Sequence, residues 1–169
     1  MKQIAQFEKV SLEQYKKDMR DCFRNKYTDE EIEIFYNKIE LPKRATKGSA
    51  GYDFRIPFNL ELEKYETAKI PTGIRVRIDE GWVLKLYPRS GLGFKHGFKL
   101  INTVGIIDSD YYNSDNEGHI MAKVLYEKGN DFLTIEKAAF VQGIFVEYGV
   151  TIDDNVATER NGGFGSTGK

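Results

Sequence analysis

The chain has 169 residues with 25 basic and 26 acidic side chains, so its net charge is −1 and it carries no broad positive surface for duplex nucleic acid. Its single cysteine, Cys22, excludes an internal disulfide and a thiolate zinc centre. No apolar run approaches the ~20 residues of a membrane span, and a cytoplasmic protein of one domain is the expectation.

Residues 1–40 read as an N-terminal helical appendage. Ser11 and Gln14 have the spacing of a capping box, and Leu12, Tyr15, Met19, Cys22 and Phe23 then recur at helical intervals. Thr28 and Glu31 repeat the signal ahead of Ile32, Phe35, Tyr36 and Ile39. Two short amphipathic helices follow, with Cys22 on the apolar stripe as an inert thiol.

From Leu41 the pattern changes. Ile74, Val76 and Ile78 alternate with Arg75 and Arg77, residues 82–87 and 120–126 behave similarly, and residues 140–150 form a longer run broken at Gly143 and Gly149. Pro42, Pro57, Pro71, Gly81 and Pro88 punctuate these runs. Many short strands separated by turn residues predict an all-β jelly roll over residues 41–157, leaving residues 158–169 as a flexible Gly-rich arm.

Five stretches carry candidate chemistry. Gly48 and Gly51 precede Asp53, where small residues allow close backbone approach and the carboxylate suits a hydrated divalent cation; a Gly-rich loop with an Asx turn reads equally well. Arg89, Ser90 and Gly91 offer a guanidinium fork, a hydroxyl and an unobstructed amide, either an anion cradle or a plain turn before a helix. Val104, Ile106 and Ile107 run into Asp108, Asp110 and Tyr111. A carboxylate at the end of an apolar strand is held rigidly and partly desolvated, as a base acting on water requires, though an Asp-rich turn has the same look. Gln142, polar in an apolar strand, must find a structural partner or a ligand oxygen. Glycines flank Phe164, with Arg160 before it and Ser166 and Thr167 after it, which suits a lid ordering over a flat ring. His96 and His119 lack a third ligand at useful spacing, so solvent-exposed or structural roles are expected of both.

Taken in order, these stretches resemble the five motifs of the homotrimeric dUTP pyrophosphatases, the dUTPases, including bacterial and phage ones, from about Leu41 to Lys169. The resemblance implies a jelly-roll (β-clip) homotrimer whose active sites combine motifs of different subunits, and hydrolysis of dUTP to dUMP and pyrophosphate with Mg²⁺. It implies that Asp108 is the general base. Asn102, Gly105, Ile106, Ile107 and Met121 would surround uracil, Tyr111 would stack on deoxyribose and exclude a 2′-hydroxyl, and Phe164 would close over the base. Arg89, Ser90, Gly91, Gln142, Arg160, Gly165, Ser166 and Thr167 would hold phosphates, and Asp53 would support magnesium through water. The chain departs from the family pattern in residues 112–117, inserted where one residue usually separates Tyr111 from Gly118, in its fourth motif, and in the spacing of Arg160 to Phe164. A dCTP deaminase, alone or bifunctional, and a regulatory protein-binding trimer are the alternatives.

Overall fold

The protein's structure is a computed structural model that describes residues 2–158. The elements in chain order are β1 (Ala5–Lys9), α1 (Leu12–Phe23), α2 (Asp29–Asn37), β2 (Lys43–Arg44), β3 (Tyr52–Arg55), β4 (Asn59–Glu63), β5 (Thr67–Pro71), β6 (Ile74–Ile78) and β7 (Trp82–Pro88). They continue with α3 (Ser90–His96), β8 (Lys99–Leu100), β9 (Gly105–Ile107), a 3₁₀ turn (Ser109–Asn113), β10 (Met121–Leu125), β11 (Phe132–Glu136) and β12 (Ala139–Glu147).

The strands are antiparallel and form four small sheets, ordered β1-β6, β5-β10-β8, β11-β4 and β2-β3-β12-β7-β9. Alternation drives this arrangement: in β6, Ile74, Val76 and Ile78 are buried while Arg75 and Arg77 turn outward. Leu60 and Leu62 of β4 do the same opposite Leu133 and Ile135 of β11. The inward faces meet in one core that contains Phe54, Phe58, Ile70, Phe98, Val124 and Phe140. This is the expected mostly-β fold of the jelly-roll class.

The N-terminal residues contribute a strand as well as two helices. β1 pairs with β6, Phe7 opposite Val76, and Phe7 packs edge-on to Phe54 with ring centroids 5.6 Å apart. The sequence pattern does not announce β1, because Phe7 is its only large apolar residue and its neighbours are polar. Both helices form where expected, and Val10, Tyr15, Met19, Ile32 and Ile39 belong to the main core. The capping box of α2 is complete, with Thr28 and Glu31 satisfying each other's amides. That of α1 is half formed: Ser11 Oγ accepts from the Gln14 amide, but the Gln14 side chain is diverted to donate to Asp18. Glu117, from the inserted segment, replaces it and accepts from the Ser11 amide and hydroxyl at 2.7 and 2.6 Å. Burial opposes the Glu117 charge, but the two Ser11 bonds prevail and hold its carboxyl below the usual range. Cys22 is half-buried, and desolvation pushes its thiol up to about 11, which leaves it unreactive as expected.

A buried polar contact ties α1 to the β domain. His119 is fully enclosed, and its Nδ1 lies 2.5 Å from Asp18 Oδ2. The Gly73 amide donates to Nε2 at 2.8 Å, which leaves Nδ1 to donate to Asp18. Burial alone would raise the Asp18 carboxyl, but hydrogen bonds from His119 and Gln14 outweigh it and hold the carboxyl below its ordinary value. Gly73 sits at φ +73°, and a Cβ there would fall 2.2 Å from Ile39 Cδ1, so the turn that supplies this amide needs glycine.

Because the folded Asp18 binds its proton less tightly than the unfolded one, its contribution to stability is present above the ordinary carboxylate range and is lost as pH falls below it. Asp18→Ala, which orphans the buried His119 N–H, should cost about 1–3 kcal/mol. His119→Ala, which strands a carboxylate, should cost about 3–5 kcal/mol. Urea unfolding of both variants from neutral to acid pH checks the order and the flatter acid limb expected of the Asp18 variant.

Candidate active site

The five-stranded sheet gathers three of the candidate stretches. In β3, Asp53 stands opposite Gln142 of β12, and Gln142 stands opposite Tyr87 of β7 on its other side. β7 then ends at Pro88, and Arg89 follows as the N-cap of α3 with Ser90 and Gly91 in the first turn. Arg89 Nη1 donates to Asp53 Oδ2 at 2.9 Å, and the Arg89 amide donates to the Phe140 carbonyl, which fixes the start of α3 against β12. Gln142 Nε2 donates weakly to the Pro88 carbonyl at 3.4 Å. Its Oε1 occupies the space beside Gly51, where a Cβ would come within 2.7 Å. A side chain at position 51 would displace the Gln142 amide, and both alternatives for Gln142 remain chemically available to it.

The half-exposed Arg89 guanidinium retains donors beyond its bond to Asp53 and, with the α3 amides that lack a side-chain cap, suits an anionic group. Asp53 is the more enclosed partner, with 17% of its side chain exposed. Among the described residues no three His, Cys, Asp or Glu side chains converge on a point that would hold a metal.

The β9 hairpin lies along the other edge of β7. In β9, Gly105 pairs with Leu86 and Ile107 with Leu84, so the hairpin approaches β7 closely; a Cβ at Gly105 would be 3.0 Å from that of Leu86. Ile107 is buried and Ile106 is half exposed. Asn102 and Thr103 form the exposed turn before this strand, with Thr103 at φ +66°. Met121, buried, opens β10 opposite Pro71. Asp108 is half-buried, in extended backbone immediately ahead of the 3₁₀ turn. Tyr111 lies within that turn, 5% exposed; its hydroxyl donates to the His119 carbonyl at 2.9 Å and accepts from Asn116 Nδ2 at 2.8 Å.

One chain does not bring all of these together. Extending the β7–β9 register by a residue sets Asp108 across from Val83, about 20 Å along an extended strand from Arg89, farther than the two side chains can reach. Arg89, Asp53 and Gln142 thus occupy one end of β7, and Asp108 and Tyr111 the other. Arg160, Phe164, Gly165, Ser166 and Thr167 lie outside the described residues.

Sequence reasoning missed the residues behind Tyr111. His119 is a lone histidine and Asp18 one charge among many on α1, so no spacing links positions 101 residues apart. Asn116 and Glu117 sit in the inserted segment, whose polar composition resembles any surface loop.

Comparison with known proteins identifies the family. A family model described as dUTPase matches residues 37–168. The deoxyuridine 5′-triphosphate nucleotidohydrolase of Lactococcus lactis subsp. lactis is 41% identical over 133 residues, which cover 77% of this chain and 89% of that protein. The crystal structure of dUTPase from Streptococcus mutans superposes with a TM-score of 0.63 at 33% identity, covering 88% of this chain and 98% of that one. A dUTPase from phage phi11 of S. aureus, whose structure describes the coordination of a structural Mg(II) ion, shares the fold with a TM-score of 0.57 at 20% identity over 74% of this chain and 94% of that one. With its motifs in order along a jelly roll, the chain belongs to the dUTPase family and hydrolyses dUTP.

Proposed function

We propose that the hydrolysis takes place at sites shared between copies of this chain in a homotrimer, with Asp108 as the base that activates water. The observation that carries this reading is the separation of Arg89 and Asp108 at opposite ends of β7. A triphosphate held by the first and attacked by a water on the second requires that the two come from neighbouring subunits. Exposed apolar side chains support an assembly: beyond β12, Tyr148, Val150, Ile152 and Val156 are open to solvent in the single chain, as is Phe94 on α3.

In this reading the uracil edge meets the backbone of Gly105, Ile106 and Ile107 and the amide of Asn102, with Met121 behind. The close approach of β9 to β7 leaves that hairpin little room to yield, which suits rejection of a 5-methyl group. Tyr111 presents its ring to the deoxyribose. Arg89, Ser90, Gly91 and Gln142 hold phosphate oxygens, and Arg160, Phe164, Gly165, Ser166 and Thr167 complete the enclosure. Asp108 accepts a proton from the water as it attacks the α-phosphorus, and pyrophosphate departs. Positioning and charge neutralisation supply most of the acceleration, and the base adds roughly 10²–10⁴-fold.

Asp53 is the described carboxylate nearest the phosphate-binding residues. A single carboxylate already bonded to Arg89 suits a hydrated Mg²⁺ carried largely by the substrate's own phosphates better than an all-protein cage. Bound there, Mg²⁺ would neutralise the triphosphate and make pyrophosphate a better leaving group.

Asp108→Asn should keep nucleotide affinity while kcat falls roughly 10²–10⁴-fold. Pyrophosphate release alongside a binding isotherm checks it, and wild-type turnover in that variant would remove Asp108 from the base role. Arg89→Ala and Asp108→Asn proteins, each inactive alone, should regain about a quarter of wild-type activity when refolded together at equal ratio, because random assortment of subunits leaves that share of sites intact. Continued inactivity of soluble mixed trimers would place both residues in a site made by one chain.

A further inference from the structure

Tyr111 is held from behind by a chain of buried hydrogen bonds that ends on the first helix. Its hydroxyl donates to the carbonyl of His119. The His119 ring is fixed at both nitrogens, by Asp18 of α1 on one side and the Gly73 amide on the other. Asp18 is itself held by Gln14 Nε2 at 2.8 Å. The next residue is equally restrained: Ile120 donates its amide to the Ile74 carbonyl and accepts from the Thr72 hydroxyl at 2.7 Å. The inserted segment supplies the second bond to the Tyr111 hydroxyl, through Asn116. Gly118, at φ +68° and with no room for a Cβ beside the Tyr111 carbonyl, closes the loop between them.

We infer that Asp18 and His119 are positioning residues for sugar selection, setting the Tyr111 ring against the nucleotide through the His119 carbonyl. This rests on the reading of Tyr111 as the sugar-facing residue. Packing alone does not account for the arrangement, since a buried ionic or polar pair can usually be replaced by apolar residues of similar volume with no loss of stability. What an apolar pair cannot do is fix the direction of one carbonyl. A ring that must refuse a single added hydroxyl has to hold its place within a fraction of an ångström, and the Tyr111 hydroxyl is tethered to the backbone carbonyl of a residue whose own ring is fixed at both nitrogens. α1 therefore acts on the reaction from outside the five motifs.

The experiment compares steady-state hydrolysis of dUTP and UTP by the full-length wild-type protein and by Asp18→Leu, Asp18→Asn, Tyr111→Phe and Tyr111→Ala. Asp18→Leu and Tyr111→Phe should lower the ratio of kcat/KM for dUTP over UTP about tenfold, chiefly through a higher KM for dUTP and new turnover of UTP. Asp18→Asn, which keeps an acceptor for the His119 N–H, should retain the wild-type ratio. A lower melting temperature in Asp18→Leu with an unchanged ratio would mean a purely structural role and overturn the inference. Tyr111→Phe leaves the buried pair intact and tests the tether even if Asp18→Leu fails to fold; a wild-type ratio there overturns the inference too. Tyr111→Ala separates the two levels. If it loses discrimination while Asp18→Leu and Tyr111→Phe keep it, the sugar-facing reading stands and only the inference falls; if it keeps discrimination, both fall.

Discussion

β7 is hydrogen-bonded along both edges, to β12 on one side and β9 on the other, and that double registration sets where Gln142, Arg89, Gly105, Ile106, Ile107 and Asp108 lie. A strand clamped on two sides does not slip, since a one-residue shift would turn each side chain to the opposite face. Two glycines make the clamp possible. Leu84 and Leu86 lean over Gly143 and Gly105, where a Cβ would stand 2.7 Å from Leu84 Cδ1 and 3.0 Å from Leu86 Cβ. The same leucines that anchor β7 in the core therefore dictate how near the β9 hairpin and the Gln142 strand can come. In the proposed function the anion-binding groups are those where β7 turns into α3, and the carboxylate at the far end works with a different copy of the molecule.

Residues with a period or a punctuation mark were legible before any coordinates. α1 and α2 begin at their Ser and Thr caps, β6 follows its alternation, and Asp53, Arg89 and Gln142 meet because their strands are neighbours. β1 was not legible, because it is recognised through pairing with β6 and through the cluster of Phe7 with Tyr52, Phe54 and Phe145, none of which leaves a trace in five mostly polar residues. The capping box at Ser11 was readable only in part, since Gln14 had a better partner in Asp18 than the backbone it was expected to reach. Contacts between distant single residues, such as Asp18 with His119 and Ser11 with Glu117, are decided by tertiary packing and have no local signature.

Charge in this molecule is kept where it is answered. The carboxylates of Asp18 and Glu117 are both drawn below their usual range by hydrogen bonds that overcome the effect of burial, and both sit at junctions between the N-terminal segment and the loop ahead of β10. Arg89 and Asp53 form the equivalent junction in the five-stranded sheet, but there the guanidinium stays half open. The first two hold the fold together, and the third leaves guanidinium donors beyond the Asp53 bond exposed.

The inserted residues grip the N-terminal segment at several points. Tyr112 lies under the Arg75 guanidinium, 3.6 Å from its ring centre, while its hydroxyl donates to Glu8 of β1; Glu117 caps α1. The N-terminal segment, most of which lies outside the stretch that the family model matches, and the loop of residues 112–117 are thus a single fitted accessory, split between distant parts of the sequence. A chimera that transplanted the first forty residues onto a shorter relative, or trimmed the loop alone, would carry half of a lock.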